Sequence, residues 1–506
     1  MNGLGIVAAE SSADSFKFFA SRPVRIGEYV VVETPEGGAL GLVERSLITS
    51  YSIATANTYI EAAEAGKASS SNPRDKGYKA SARVLGLVEK LKVGVAYMPS
   101  VPPVPGTVVS EASSELLSSI YSRTERNFVP LGSLLRNQEV TVSVDINKVA
   151  SRHLAILATT GSGKSNLLAL IAKRVSKVRG TMVIFDYHGE YSELKIGTTS
   201  HVQPKINPRE LEAEELAELL DISSSASRQR SLLASVLTNE VRRAGDFWEA
   251  LNGALNGIMN DVEKSVEDVR NAQRLIEIIE RARRRKGRII DPDIGDPLDQ
   301  VRPNYINIID MAELTETQAS IIISYYLSGL LEDRKQAQRQ RMSGGEGRVR
   351  FSSPVIVAIE EAHAFLPADN HEKHDATSAA SKVAREGRKF GLSLIIVSQR
   401  PSKVNQDILS QMGSLAVMRL TQPKDQSYIL ESSELMSEDL ASYLPSMNVG
   451  EAMLLGQWVD LPSIVKVEKV EEKLTGADID AVKQWSESQS RSGIAREDTS
   501  EFIKGI

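Results

Sequence analysis

Cysteine is absent from this chain of 506 residues. Disulfides and thiolate metal sites are thereby excluded. Also lacking is a basic stretch followed by an apolar one near the first residue, and no uninterrupted apolar run is long enough to span a bilayer. The expectation is a cytoplasmic protein with no membrane partner. Nor is there an excess of positive charge: 60 Lys and Arg stand against 66 Asp and Glu, a net charge of −6. That is not the bulk signature of a nucleic-acid binder. A ring-shaped motor remains compatible with it, because such a ring needs positive charge only where it meets the strand. What is present is ordinary for a globular chain, with 41% hydrophobic and 25% charged residues. Its length suits roughly two to four structural units.

Two segments carry chemistry. The first is ATTGSGKS (158–165), directly after the apolar run LAIL (154–157). It reads as a strand, a glycine-rich turn and a helix start. Glycines permit a tight turn with positive φ, so the backbone N–H groups of Gly161, Ser162 and Gly163 can wrap a phosphate. The helix opening at Lys164 adds its positive end. Lys164 supplies a point charge for the β- and γ-phosphates, and the Ser165 hydroxyl can hold Mg²⁺. Thr159, Thr160 and Asn166 complete the expected nucleotide-binding set. The usual pattern is G-x-x-x-x-G-K-[ST], and Ala158 stands where its first glycine would be. An ordinary glycine turn would not place Lys and Ser at a helix N-terminus, where a cation is disfavoured. The second segment is VIVAIEE (355–361), a buried strand ending in two carboxylates, Glu360 and Glu361. A hydrolase needs one acid for the Mg²⁺ shell and one to polarise the attacking water. ATP and Mg²⁺ are the cofactors expected.

The rest of the chain divides by composition. Residues 1–110 hold β-rich runs (YVVVE at 29–33, LGLVE at 40–44, ARVLGLV at 82–88) broken by PEGG (35–38), which suggests a small β-barrel. Residues 62–74 are small and polar and read as a surface loop. Residues 111–150 read as a connector, with the alternating EVTVSVD (139–145) as a strand leading into the core. An ATPase core is expected in two parts, 151–207 and 301–475, split by a helical insertion over 208–300, with 476–506 as a tail. The buried strand TMVIFD (181–186) puts Asp186 at the C-terminal end of a parallel strand, facing the ligand crevice. The insertion ends in the basic run RARRRKGR (281–288), either a solvated helix end or a phosphate-backbone contact. The segment 334–350 carries GGEG (344–347) and reads as a mobile loop for a partner or DNA, or as a plain surface loop. His371 and His374 belong to a solvated loop rather than a metal site. The fold class expected is α/β: a RecA-like P-loop ATPase core with a mostly parallel sheet, a helical insertion and a small N-terminal β-barrel.

Four signatures occur in order: TGSGKS (160–165), DYHGE (186–190), IEEAH (359–363), and SQRP (398–401) after AREGRK (384–389). Together with the small barrel, this set resembles the archaeal HerA family of DNA helicase/translocases in the HerA–FtsK superfamily, over nearly the whole chain. The resemblance implies a homo-hexameric ring that pumps double-stranded DNA through a central pore. It implies work with a NurA-like nuclease in DNA end resection and recombinational repair, and a barrel that supports assembly and partner docking. ATP would sit between neighbouring subunits. By position, Lys164 and Ser165 are the P-loop lysine and the Mg²⁺ hydroxyl. Glu360 takes the place of the Mg²⁺-shell acid, where many relatives carry Asp, and Glu361 that of the catalytic base. The longer Glu360 side chain leaves the split of roles between the two open. Gln399 matches the polar γ-phosphate sensor. Arg385, Arg388 and Arg152 are candidates for the arginine that reaches across from the next subunit, a role suited by fixed charge and forked geometry. Two other readings stand beside this one: an ATPase of the same superfamily moving another substrate, and a nucleotide-gated platform that docks a nuclease. Binding alone would not need a base such as Glu361.

Overall fold

The computed structural model describes residues 3–471, except 192, 193, 195, 345–347, 369–374 and 433–435. Near the N-terminus, short strands close on themselves. β1 (Gly5–Ser11), β2 (Ser15–Ala20), β3 (Tyr29–Thr34), β4 (Gly37–Ser50), β5 (Lys76–Leu87) and β6 (Val108–Glu111) form a barrel in the order β1-β2-β5-β4-β3-β6. β6 pairs antiparallel with both β1 and β3, which closes the ring and removes its edges. Side chains alternate along the strands. Phe16 and Phe18 of β2, and Val30 and Val32 of β3, point inward and are buried.

The stretch 62–74, expected as a loop, is mostly helix: Tyr59–Ser71 is helical. Thr58 caps it by accepting from the Glu61 N–H, and its alanines favour the helix. It buries only Ser69, so it carries no apolar stripe for periodicity to find.

The other strands are β7 (Phe128–Leu134), β8 (Asn137–Asp145), β9 (Leu154–Leu157), β10 (Thr181–Asp186), β11 (Thr199–Val202), β12 (Ile306–Asp310), β13 (Val355–Ile359), β14 (Leu392–Ser398), β15 (Ser414–Val417), β16 (Glu451–Gly456) and β17 (Ser463–Val467). They form one 11-stranded sheet, ordered β11-β12-β10-β13-β14-β9-β15-β16-β17-β7-β8. From β11 to β15 the pairings are parallel. From β15 to β8 they are antiparallel. β9, β10, β13 and β14 are buried at every residue. Strands covered on both faces need continuous apolar sequence rather than alternation. The β7–β8 hairpin lies in the stretch expected as a connector, and it joins the sheet through β17.

Between β11 and β12 the chain forms a helical insertion. Helices Phe247–Asn260 and Val266–Lys286 pack together, burying Leu251, Leu255, Leu275 and Ile279. The basic run closes the second helix. Lys286 is buried there, donating to the Leu219 carbonyl at 2.7 Å and to Asp221 at 2.8 Å. Arg283 pairs with Glu280 and Arg288 with Glu313, while Arg281, Arg284 and Arg285 are exposed.

The segment 334–350 is a loop over only part of its length, because helix Glu316–Ser343 runs through its first part. Arg334 is buried and donates to the carbonyls of Phe351 at 2.6 Å and Phe390 at 2.8 Å. Arg348 and Arg350 pair with Asp299. Residues 345–347 lie outside the described residues, as do His371 and His374. Among the described residues no helix is long and apolar enough to cross a membrane.

His153 locks the start of β9. It is 3% exposed at φ +60°, its Nδ1 accepting from the Leu394 N–H at 2.9 Å and its Nε2 donating to the Ala384 carbonyl at 3.1 Å. Burial holds this histidine down to about 4, against 6.5 ordinarily, with the Ala384 bond opposing. The folded chain keeps it neutral, so the unfolded chain takes up its proton first as pH falls. Stability is therefore lost between pH 6.5 and about 4. Thermal melts across that window should show a falling midpoint, and His153→Gln should flatten the slope by the share of one proton. An identical slope in the variant would remove His153 as the linked group.

Candidate nucleotide-binding and hydrolysis site

The turn after β9 is anchored on both sides. The Ala158 N–H donates to the Ser398 carbonyl at 3.1 Å, and the Thr159 N–H to the Arg419 carbonyl at 2.8 Å. Ala158 is fully buried and is not among the positive-φ residues, so no glycine is required at that position. Gly161 takes φ +75° and Gly163 φ +110°, the left-handed region that favours glycine. Gly163 caps helix Lys164–Lys177 without any side-chain hydrogen bond, leaving the first-turn N–H groups to a ligand. The Thr159 hydroxyl contacts Ser162 Oγ at 2.9 Å and the Arg419 carbonyl at 3.0 Å. The Thr160 hydroxyl donates to Gln399 Oε1. Ser165 sits partly buried in the first helical turn. Lys164 Nζ donates to the Thr159 carbonyl at 3.2 Å. Burial lowers the Lys164 ammonium below its usual range, while Glu361, Glu360 and Glu190 oppose that shift. Three acids therefore act electrostatically on the P-loop lysine.

β13 delivers two of them. Glu360 is 5% exposed, and its Oε1 accepts from the Tyr191 hydroxyl at 2.7 Å. Glu361 takes φ +46°, a strained conformation for a residue with a Cβ. Its Oε1 lies 3.5 Å from His188 Nε2 and its Oε2 lies 3.2 Å from His363 Nδ1. His363 Nδ1 is also 3.4 Å from Ser398 Oγ. Burial lowers His363 below its usual range; Glu361 opposes this, and Arg400 and Lys164 reinforce it. The arrangement can bind a polyphosphate at the turn and present a carboxylate to a water beside it.

The family described as "Helicase HerA, central domain" matches residues 129–330. The DNA double-strand break repair helicase HerA of Saccharolobus solfataricus is 35% identical over 508 residues, covering 97% of this chain and 97% of that one. The protein of the same name from Sulfurisphaera tokodaii is 35% identical over 503 residues, 96% of this chain and 97% of its own. The chain belongs to the HerA helicase family. As a member of the HerA family it is an ATP-hydrolysing helicase with a P-loop NTPase core. Among solved structures, VirB4 of Thermoanaerobacter pseudethanolicus shares the fold. Its TM-score is 0.50 at 17% identity, covering 70% of this chain and 99% of that one.

Several of the expected residues have other partners or positions in the fold. Both polar atoms of the Asn166 side chain are engaged elsewhere, its Nδ2 donating to the Glu468 carbonyl and its Oδ1 accepting from the Val470 N–H, each at 2.9 Å. Asn166 can therefore offer a phosphate its backbone N–H, which is compatible with its place in the expected nucleotide-binding set. Asp186 does not face the crevice. It is fully buried and accepts from the N–H groups of Glu190 at 3.0 Å and Tyr191 at 2.8 Å, which closes the loop 187–191. Burial pushes the Asp186 carboxyl up.

Arg385 and Arg388 are exposed on helix Asp375–Phe390, and Arg152 ends the helix before β9. The longer helix is tied to the starts of β9 and β14 by His153. All three arginines thus lie at the N-terminal edge of the sheet, opposite the phosphate turn. β9 and β14 separate the two edges by roughly 13–23 Å at about 3.3 Å per residue.

The donors present suit Mg²⁺ held with a nucleotide. Ser165 and the buried Glu360 offer oxygen ligands, and Mg²⁺ ordinarily completes its shell with phosphates and water. Among the described residues no group of three or more His, Cys, Asp or Glu forms a metal cage. Sequence reasoning missed His188, Tyr191 and the contact of His363 with Glu361. The signal was the DYHGE segment after an apolar strand, whose loop lies beside β13 because β10 and β13 pair.

In Gly163→Ala a methyl group would enter φ +110° and lie 3.1 Å from Met418 Cε. Affinity for a fluorescent ATP analogue should fall by at least about ten-fold, the equivalent of about 1–2 kcal/mol of strain, with the thermal midpoint nearly unchanged. Unchanged affinity would show that the turn is not the phosphate cradle.

Proposed function

We propose that this chain is an ATP-driven translocase of double-stranded DNA, assembled as a homo-hexameric ring and acting with a NurA-like nuclease in DNA end resection and recombinational repair. The observation that carries the reading is the split of the machinery across the sheet. The lysine and both acids converge at one edge of the chain, while Arg152, Arg385 and Arg388 sit at the other. An arginine at that edge is too far to serve the turn of its own chain and is available to a site in another copy, as a ring whose nucleotide sits between subunits requires. The repair role rests on the relatives, which are named as DNA double-strand break repair helicases.

In this mechanism the phosphates lie over the backbone of Gly161, Ser162 and Gly163, and Lys164 neutralises charge on the β- and γ-phosphates. Ser165 and Glu360 would hold Mg²⁺, which when bound screens the phosphate oxygens. Glu361 orients the attacking water and accepts its proton. Gln399, bonded to Thr160, reports the γ-phosphate to β14. An arginine from the next copy stabilises charge spreading over the transferred phosphoryl group. DNA binding through the phosphate backbone would be salt-dependent and indifferent to sequence.

Steady-state ATP hydrolysis at fixed salt should rise on adding linear double-stranded DNA. Glu361→Gln should lower the stimulated rate by about 10²-fold or more while nucleotide binding is retained. A rate indifferent to DNA would move the reading to another translocated substrate, and full activity in Glu361→Gln would remove it as the base.

A further inference from the structure

We infer that His188 and His363 are positioning residues that hold the Glu361 carboxylate in its reactive orientation from two sides. The inference rests on the proposed role of Glu361 as the base and adds the parts that aim it.

Glu361 leaves β13 at φ +46°. Such strain persists only where the surroundings over-determine it. Each of its oxygens meets a different imidazole, Oε1 that of His188 at 3.5 Å and Oε2 that of His363 at 3.2 Å. An imidazole beside each oxygen restricts rotation of the carboxylate more than a ring on one side would. The approach of His363 Nδ1 is a close contact rather than a hydrogen bond, since the buried Glu361 Oε2 has no hydrogen-bond partner among the described residues. The same nitrogen lies against Ser398 Oγ, one residue before Gln399. The base is thereby joined to the strand end that carries the Thr160–Gln399 contact.

His188 arrives on the loop 187–191. Asp186 closes that loop through two backbone N–H groups, and Gly189 turns it at φ +69°. Tyr187 packs edge-on against Phe365 with ring centroids 5.0 Å apart, pressing the loop onto helix Ala362–Phe365, which carries His363. The same loop sends the Tyr191 hydroxyl to Glu360. One loop therefore gives the two acids different partners, a phenol for the buried Glu360 and an imidazole for Glu361. On this inference Glu360 is held by the Tyr191 hydroxyl, while Glu361 is flanked from two sides.

The test uses the full chain with Mg-ATP and linear double-stranded DNA. His188→Ala and His363→Ala should each lose about 10–100-fold in kcat, with KM and ATP-analogue affinity changed less than about two-fold. His188→Gln keeps a polar amide near the Nε2 position and His363→Asn one near Nδ1, and each should recover most of the rate. Alanine variants with unchanged kcat would overturn the inference. So would equal losses in kcat and nucleotide affinity that the amide variants do not rescue. If Glu361→Gln retained the wild-type rate, the assignment of the base would fail and this inference with it. An inactive Glu361→Gln beside indifferent histidine variants would remove the inference alone.

Discussion

The molecule is organised by one strand placed between two others. β14 lies between β9, which ends in the phosphate turn, and β13, which ends in the acid pair. Two inter-strand spacings hold those strand ends roughly 10 Å apart. That gap suits a terminal phosphate and a water between Lys164 and Glu361. Because the three strands are parallel, their C-terminal ends open on one edge. Burial disfavours the ammonium there, and the charges of Glu361, Glu360 and Glu190 oppose that effect. Gln399 stands at the end of the middle strand, within reach of the turn through Thr160.

Other parts of the chain hold this edge in place. The segment after β17 clasps the P-loop helix through Asn166 and through Arg174, which pairs with Glu468. The Gly450 N–H donates to the Ser162 carbonyl at 2.9 Å, bringing the loop before β16 onto the phosphate turn. The barrel is fastened to the same body. Arg136 donates to the Ile26 carbonyl at 2.9 Å and to the Tyr443 hydroxyl at 3.0 Å, and Ser437 bonds Glu44 of β4 at 3.0 Å. A change in the segment after β17 or at the barrel joint thus has a short covalent and hydrogen-bonded route to the nucleotide edge.

The site was legible in sequence where chemistry and burial coincide. A doubly covered parallel strand must be a continuous apolar run, so LAIL before GSGK and VIVAI before two glutamates stand out against their surroundings. The barrel was legible because its β-rich runs are broken by glycine and proline turns. Helix Tyr59–Ser71 was not, since it buries only one residue. Nor was helix Glu316–Ser343 legible to its end. Its later part is basic and polar and resembles a loop, yet the buried Arg334 ties it to Phe351 and Phe390. The histidine contacts to Glu361 depend on β10 and β13 being neighbours, a relation between residues 188 and 361 that local sequence does not encode.

The proposed completion of each site by a second copy is tested most directly by mixing two inactive chains, one carrying Glu361→Gln and the other Arg152→Ala, Arg385→Ala and Arg388→Ala together. Each alone should hydrolyse ATP poorly with DNA present. Co-assembled in equal amounts, they should regain hydrolysis well above the sum of the separate rates, because an intact arginine edge of one then meets an intact acid pair of the other. A mixture that stays at the sum at every ratio, or an arginine variant that is fully active alone, would contradict the account.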